Sequence, residues 1–112
     1  MKSYTDLEQS KKLTEILPLE SADMYYPNRI GMDNYPLPIE WKNGLPLLSQ
    51  EIPCWSLAAL MDVLDRGALF KTPQGWVCQS YTDFEAIISD YYDNPVDACY
   101  EMVLKLHELK LL

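Results

Sequence analysis

Three cysteines and one histidine, Cys54, Cys78, Cys99 and His107, are the side chains in this 112-residue chain with the most obvious chemistry. Four such ligands match the number a structural zinc needs, but none of them forms the closely spaced pair typical of such sites. Cys99 and His107 fall in a stretch read below as one helix, about 12 Å apart along its axis. Ligands of one tetrahedral ion lie within roughly 4 Å of each other. The spacing therefore argues against metal, and no cofactor motif accompanies it. Cys54 is a better nucleophile candidate, because it stands near the start of a predicted helix, where the dipole lowers a thiol pKa. Its base would have to be His107, the sole histidine, which lies off the apolar stripe near the end of the last helix. Asp90, Asp93 and Asp97 cluster before and at the start of that helix. Paired carboxylates do acid–base work in clefts, but Asp and Asn at a helix start usually act as caps. No Gly-rich phosphate loop, G-x-S-x-G or H-E-x-x-H occurs. No catalytic residue is assigned on these grounds.

The element that must position these groups is the last stretch, Asn94 to Leu112. Asn94 suits an N-cap and Pro95 the first helical position, and Asp97 puts a negative charge beside the positive end of the dipole. Val96, Cys99, Met102, Val103, Leu106 and Leu109 recur every three or four residues and form one apolar face. Such a helix does not hold alone in water, so the face requires a sheet or second helix against it.

Upstream, Thr5-Asp6-Leu7-Glu8 reads as a capping box opening a first helix over about Asp6 to Leu17, closed by Pro18 and carrying a thin apolar stripe. Residues 19–51 are Pro-rich. Tyr35, Leu37, Ile39 and Trp41 alternate with Pro36, Pro38 and Glu40, which predicts an extended edge strand or polyproline-like run, ended by an Asn43-Gly44 turn. Met24 to Tyr26 is a candidate partner strand. Ile52 to Leu64 reads as the second helix, started by Pro53 and Ser56 and stopped by Gly67. Ala68–Lys71 and Trp76–Tyr81, joined through Pro73-Gln74-Gly75, predict a β-hairpin. Asp83 to Asp93 is expected to be a further short strand or irregular cover.

Length fits one domain, with a core large enough to need no metal or disulfide. Nearly half the residues are hydrophobic, too many for a disordered chain. Net charge is −8, and among the nine bases only Lys11 and Lys12 are adjacent. Binding to nucleic acid or an anionic membrane needs clustered Lys and Arg, so neither is expected. An acidic inhibitor that imitates nucleic acid is a weak third reading. The opening lacks an apolar signal segment, nothing approaches a membrane span, and an odd cysteine count suits reduced thiols, so the expected location is cytoplasmic.

Eight tyrosines and three tryptophans are more than a small core can absorb. Tyr25, Tyr26, Trp41, Trp55 and Trp76 are the candidate partner surface, with packing over the hairpin edge as the competing explanation.

IPCWSLAAL (Ile52–Leu60), YDNPVDACYEMVLKL (Tyr92–Leu106) and ESADMYY (Glu20–Tyr26) resemble a family of small uncharacterised proteins from gut Bacteroidales genomes and their phages or mobile elements. The matching pieces cover about half the chain. The resemblance implies an α+β domain, a cytoplasmic setting and a mobile-element context, and it carries over no activity or site residue.

The combined expectation is one α+β domain over residues 1–112. Residues 1–18 hold an N-terminal helix, 19–51 the extended segment, and 52–112 a helix–hairpin–helix core on a small antiparallel sheet. The leading functional expectation is a non-enzymatic module binding a protein partner or itself. The alternative is a small enzyme or ligand binder with a pocket near Cys54 and Trp55.

Overall fold

The computed structural model describes residues 1–27, 37–40 and 51–112. The chain is α+β, and its described residues form three α-helices and two three-stranded antiparallel sheets. Helix α1 spans Leu7–Thr14 and is followed by a 3-10 turn, Leu19–Ser21. Strands β1 (Met24–Tyr26), β2 (Ile39–Glu40) and β3 (Ile52–Cys54) form the first sheet, and helix α2 spans Leu57–Val63. Strands β4 (Gly67–Thr72), β5 (Gly75–Tyr81) and β6 (Ala86–Ile88) form the second, and helix α3, Pro95–Glu108, closes the chain.

Helix α3 starts as its sequence dictates. The Asn94 side chain accepts from the Asp97 amide, and Pro95 occupies the first turn. Val96, Cys99, Met102, Val103 and Leu106 are all buried. Leu109 departs from the expected stripe: it is the C-cap residue and half exposed, because the helix ends at Glu108 and releases it toward solvent. The buried face packs against β5 on one side and α2 on the other. This pairing builds one continuous apolar cluster, which α1 joins through Leu13 and Leu17.

Four local expectations are corrected. The capping box of α1 lies one residue later, with Asp6 as N-cap and Gln9 as its partner, because Thr5 is fully buried in a polar cluster against β3. The first helix also packs closely, with Ser10 and Leu13 fully buried. Residues Ile52–Cys54 are strand rather than helix. They pair with β1, Tyr25 facing Pro53, and the true N-cap is Ser56, whose side chain accepts from the Ala59 amide. Gly67 is the first residue of β4 rather than a left-handed cap; a Cβ there would meet the Leu64 Cβ at 3.0 Å.

Residues 3–5 run beside the start of α2, the Thr5 amide donating to the Trp55 carbonyl and the Leu57 amide to that of Ser3. Among the described residues β2 pairs with β1 at the edge of the first sheet, and Pro38 just precedes it, where it removes no ladder donor. Tyr35, Pro36, Trp41 and the Asn43-Gly44 turn lie outside the described residues. The hairpin forms as predicted, with Thr72 opposite Gly75, and β6 adds a third strand opposite Gln79 to Tyr81.

Gly75 is where the hairpin depends on glycine. Its φ is +136°, and a Cβ would stand 2.7 Å from the Tyr92 carbonyl oxygen, the acceptor of the Trp76 amide. Gly75→Ala is expected to destabilise the protein by roughly 2–3 kcal/mol, through a strained backbone and a displaced bridge to Tyr92. Urea unfolding measures it; an unchanged midpoint would refute the close approach.

Candidate functional site

Cys54 ends β3 pointing into the body of the protein. Its thiol lies 3.6 Å from the Thr5 hydroxyl and 3.4 Å from the Thr5 carbonyl, and Thr5 in turn bonds the Ser10 hydroxyl at 2.7 Å. Tyr26 donates to the same carbonyl at 2.8 Å. Burial pushes the Cys54 thiol up, and the hydroxyls of Thr5 and Ser10 only partly oppose that. Burial likewise pushes the Tyr26 hydroxyl up. Cys54 lies in β3, three residues before α2 begins, so dipole activation is lost too. This is a satisfied polar plug between the first sheet and α1, and its thiol is a poor nucleophile. His107 is exposed near the end of α3, so the structure forms no Cys–His pair from it.

The alternative reading of a pocket at Cys54 and Trp55 also meets a geometric obstacle, because both are 0% exposed. Trp55 fills the core and donates from Nε1 to the Ser21 hydroxyl at 2.9 Å. The nearby surface hollow, about 350 Å³, is lined instead by Glu20, Ser21, Ala22, Asp23, Ala58, Ala59 and Asp62. Asp23 there is occupied as an acceptor for the Ser56 amide and hydroxyl.

The carboxylates divide into two roles. Asp97 accepts from Lys2 Nζ and Gln9 Nε2, each at 2.8 Å, and from Asn94 Nδ2 at 2.9 Å. Burial alone would raise this carboxyl, but those three donors outweigh it and hold it below its ordinary value. Asp97 thus ties the N-terminal residues to the start of α3. Because its folded pKa is depressed, its stabilising contribution is complete above its ordinary pKa of 3.8 and is lost as pH falls through the folded value. Lys2 has the opposite sign: burial would lower its ammonium, but the Asp97 and Asp6 carboxylates that accept from it outweigh burial and raise it, so its contribution persists until pH rises through that higher value. Asp97→Asn should therefore flatten the fall in melting temperature below about pH 4. Parallel melting curves for variant and wild type would contradict this.

Asp90, Glu101 and Glu108 line a groove of about 260 Å³ with Tyr92, Leu104 and Lys105. Burial, then Asp97, Glu108 and Asp90, raise the Glu101 carboxyl. Lys105 donates to the Ile88 carbonyl. The groove thus favours the protonated form of Glu101 relative to an isolated carboxyl, and its lining residues include no activated nucleophile. Nor are the three cysteines and the histidine gathered. Cys78 and Cys99 meet between β5 and α3, Cys54 belongs to the Thr5 plug, and His107 is exposed. Among the described residues, no group of three His, Cys, Asp or Glu side chains is placed to hold a metal ion.

The aromatic surface is the largest correction. Trp55 is fully buried and Tyr26 nearly so, Tyr25 and Trp76 are half-buried, and Trp41 lies outside the described residues. Trp55 follows directly on β3, and that strand delivers its ring into the core. Trp76 packs on the core cluster and carries Lys71 over its ring. The exposed apolar residues are others. Register places Phe70, Ile88 and Tyr81 on the outer face of the second sheet, opposite the face that sends Cys78 and Ile87 inward. Phe70, Tyr81 and Ile88 are each well exposed there.

Phe84 is 98% exposed, on the turn joining β5 and β6. That turn is ordered: Thr82 Oγ1 accepts from the Glu85 amide at 3.0 Å, the Thr82 amide donates to the Glu85 carbonyl, and Arg66 pairs with Asp83 at 2.8 Å. The sequence signal for Phe84 is its bracketing by Asp83 and Glu85, since an aromatic between two carboxylates seldom turns inward. No helix among the described residues is long and apolar enough to cross a membrane. No family model, curated protein or solved structure matches this chain.

Proposed function

We propose that the protein is a non-enzymatic interaction module that docks a protein partner through Phe84 and the outer face of the second sheet. The observation that carries this reading is Phe84 itself, an apolar ring displayed to water on a turn held by four backbone and side-chain bonds. An ordered anchor loses little conformational entropy on docking, which is how rigid aromatic residues come to dominate interfaces. Phe70, Tyr81 and Ile88 supply apolar area beside it. The partner has an apolar pocket with a basic rim. Asp83 and Glu85 flank the ring and the chain carries −8 overall, so a second copy would meet like charge. The acids are also spread over α1, α2, the 82–85 turn and α3, which favours docking over imitation of nucleic acid. The setting is a cytoplasm with reduced thiols, and the resemblance to Bacteroidales and phage proteins adds a mobile-element context.

Immobilised wild-type protein and Phe84→Ala, exposed to the same host lysate, test this. The substitution touches no core contact and should leave melting unchanged, while loss of a docked aromatic costs about 2 kcal/mol or more, roughly a thirtyfold fall in affinity. A protein retained by wild type, released by salt and lost with Phe84→Ala supports the reading. Equal retention by both proteins, or none by either, overturns it.

A further inference from the structure

Cys78 and Cys99 are the one pair of thiols that the fold brings together. Leu69 opposes Cys78 in the β4–β5 register, and both Cys78 and Leu69 contribute to the core, so Cys78 faces inward toward α3. Cys99 lies on the buried face of that helix, both thiols belong to the one core cluster where α3 packs on β5, and each perturbs the ionisation of the other. The Cys99 sulfur also lies 3.6 Å from the Met61 sulfur on α2. Neither thiol is exposed. We propose that Cys78 and Cys99 are a disulfide-forming pair, closed by a hydroperoxide to staple α3 to the second sheet, with Cys54 left as the free thiol.

The step balances with one peroxide per bridge. A Cys78 thiolate attacks a peroxide oxygen, the O–O bond breaks, and the sulfur leaves as a sulfenic acid while the other oxygen departs, after protonation, as water. The Cys99 sulfur then attacks that sulfenic sulfur, the S–S bond forms, and the hydroxyl leaves as a second water. Two thiols lose two electrons and two protons, and hydrogen peroxide is reduced to two waters. The pairing supports the first step: the S–H of one residue donates to the thiolate of the other, so the first proton leaves the pair more readily, while burial and the adjacent charge hold the second far above the usual range. Peroxide reaches the pair only when α3 separates briefly from the sheet, so the reaction is slower than that of a free thiol. The ring that closes contains the 82–85 turn and β6, and the bridge therefore narrows the freedom of the segment that carries Phe84.

The test treats the folded full-length protein with hydrogen peroxide, quenches it, unfolds it, alkylates the remaining thiols and maps the peptides by mass. The expected product has lost two hydrogens, carries its single alkyl group on Cys54 and contains a Cys78–Cys99 linked peptide. It melts roughly 10 °C higher than the reduced form, and reductant reverses the shift. Cys54→Ser retains the bridge, which keeps the test decisive even if Cys78→Ser fails to fold. A bridge that includes Cys54, a covalent dimer, or alkylation of all three thiols after peroxide would overturn the proposal.

Discussion

Val103→Asp leaves the protein unfolded at room temperature. Val103 sits in the middle of the buried face of α3 with none of its surface in water. An aspartate there gains no cationic partner among its core neighbours, which are apolar side chains and thiols. Burying an unpaired charge costs roughly 4–5 kcal/mol even after the site relaxes or the carboxyl takes up a proton, and losing the buried valine adds about 1.5–3 kcal/mol, which together exceed the lower end of what a small domain holds. A domain of this size has about 5–15 kcal/mol in total. The expected readout is loss of the cooperative melting transition and of near-ultraviolet circular dichroism. His107→Asp, an exposed change on the same helix, should cost under about 1 kcal/mol, from the helix dipole alone. A folded Val103→Asp with an unchanged melting point would mean that α3 is not sealed as described.

Trp55→Ala is the second large effect, and it separates two readings of the same residue. On a partner surface, truncating Trp55 would weaken binding and leave stability alone. In the core, where it fills space between α2 and the 3-10 turn and donates to Ser21, truncation should cost about 3–5 kcal/mol. Trp55→Phe should cost less, about 1–2 kcal/mol, because the ring bulk stays and only the hydrogen bond and part of the volume go. Chemical denaturation of both variants measures this. A Trp55→Ala protein as stable as wild type would return Trp55 to the surface.

Helix α3 was legible because every local signal agreed: cap, proline, first-turn acid and stripe all reside in contiguous residues. The hairpin was legible for a similar reason, since Pro73-Gln74-Gly75 breaks two β-rich runs. Ile52–Cys54 was not, because Pro53 is a familiar helix opener and nothing local reveals that β1 will pair with it. The strand is made by a partner almost thirty residues earlier. Thr5 misled for the same reason: its hydroxyl suits an N-cap in isolation, and the tertiary polar plug with Cys54 and Ser10 claims it instead. The exposed surface was the hardest part to read. Aromatic count identified how much ring there was to place, but which rings face water follows from strand register, and register depends on pairings distant in the sequence. The meeting of Cys78 and Cys99 is likewise a product of β5 lying under α3.

Hydroxyl-radical footprinting of the native protein, read residue by residue, tests most directly whether the core is sealed by α3 and the apolar display lies on the second sheet and its turn. The structure predicts rapid labelling of Phe84, Phe70 and Tyr81, with Trp55 and Met102 protected until the protein unfolds. Trp55 or Met102 labelled as fast as Phe84 would contradict it.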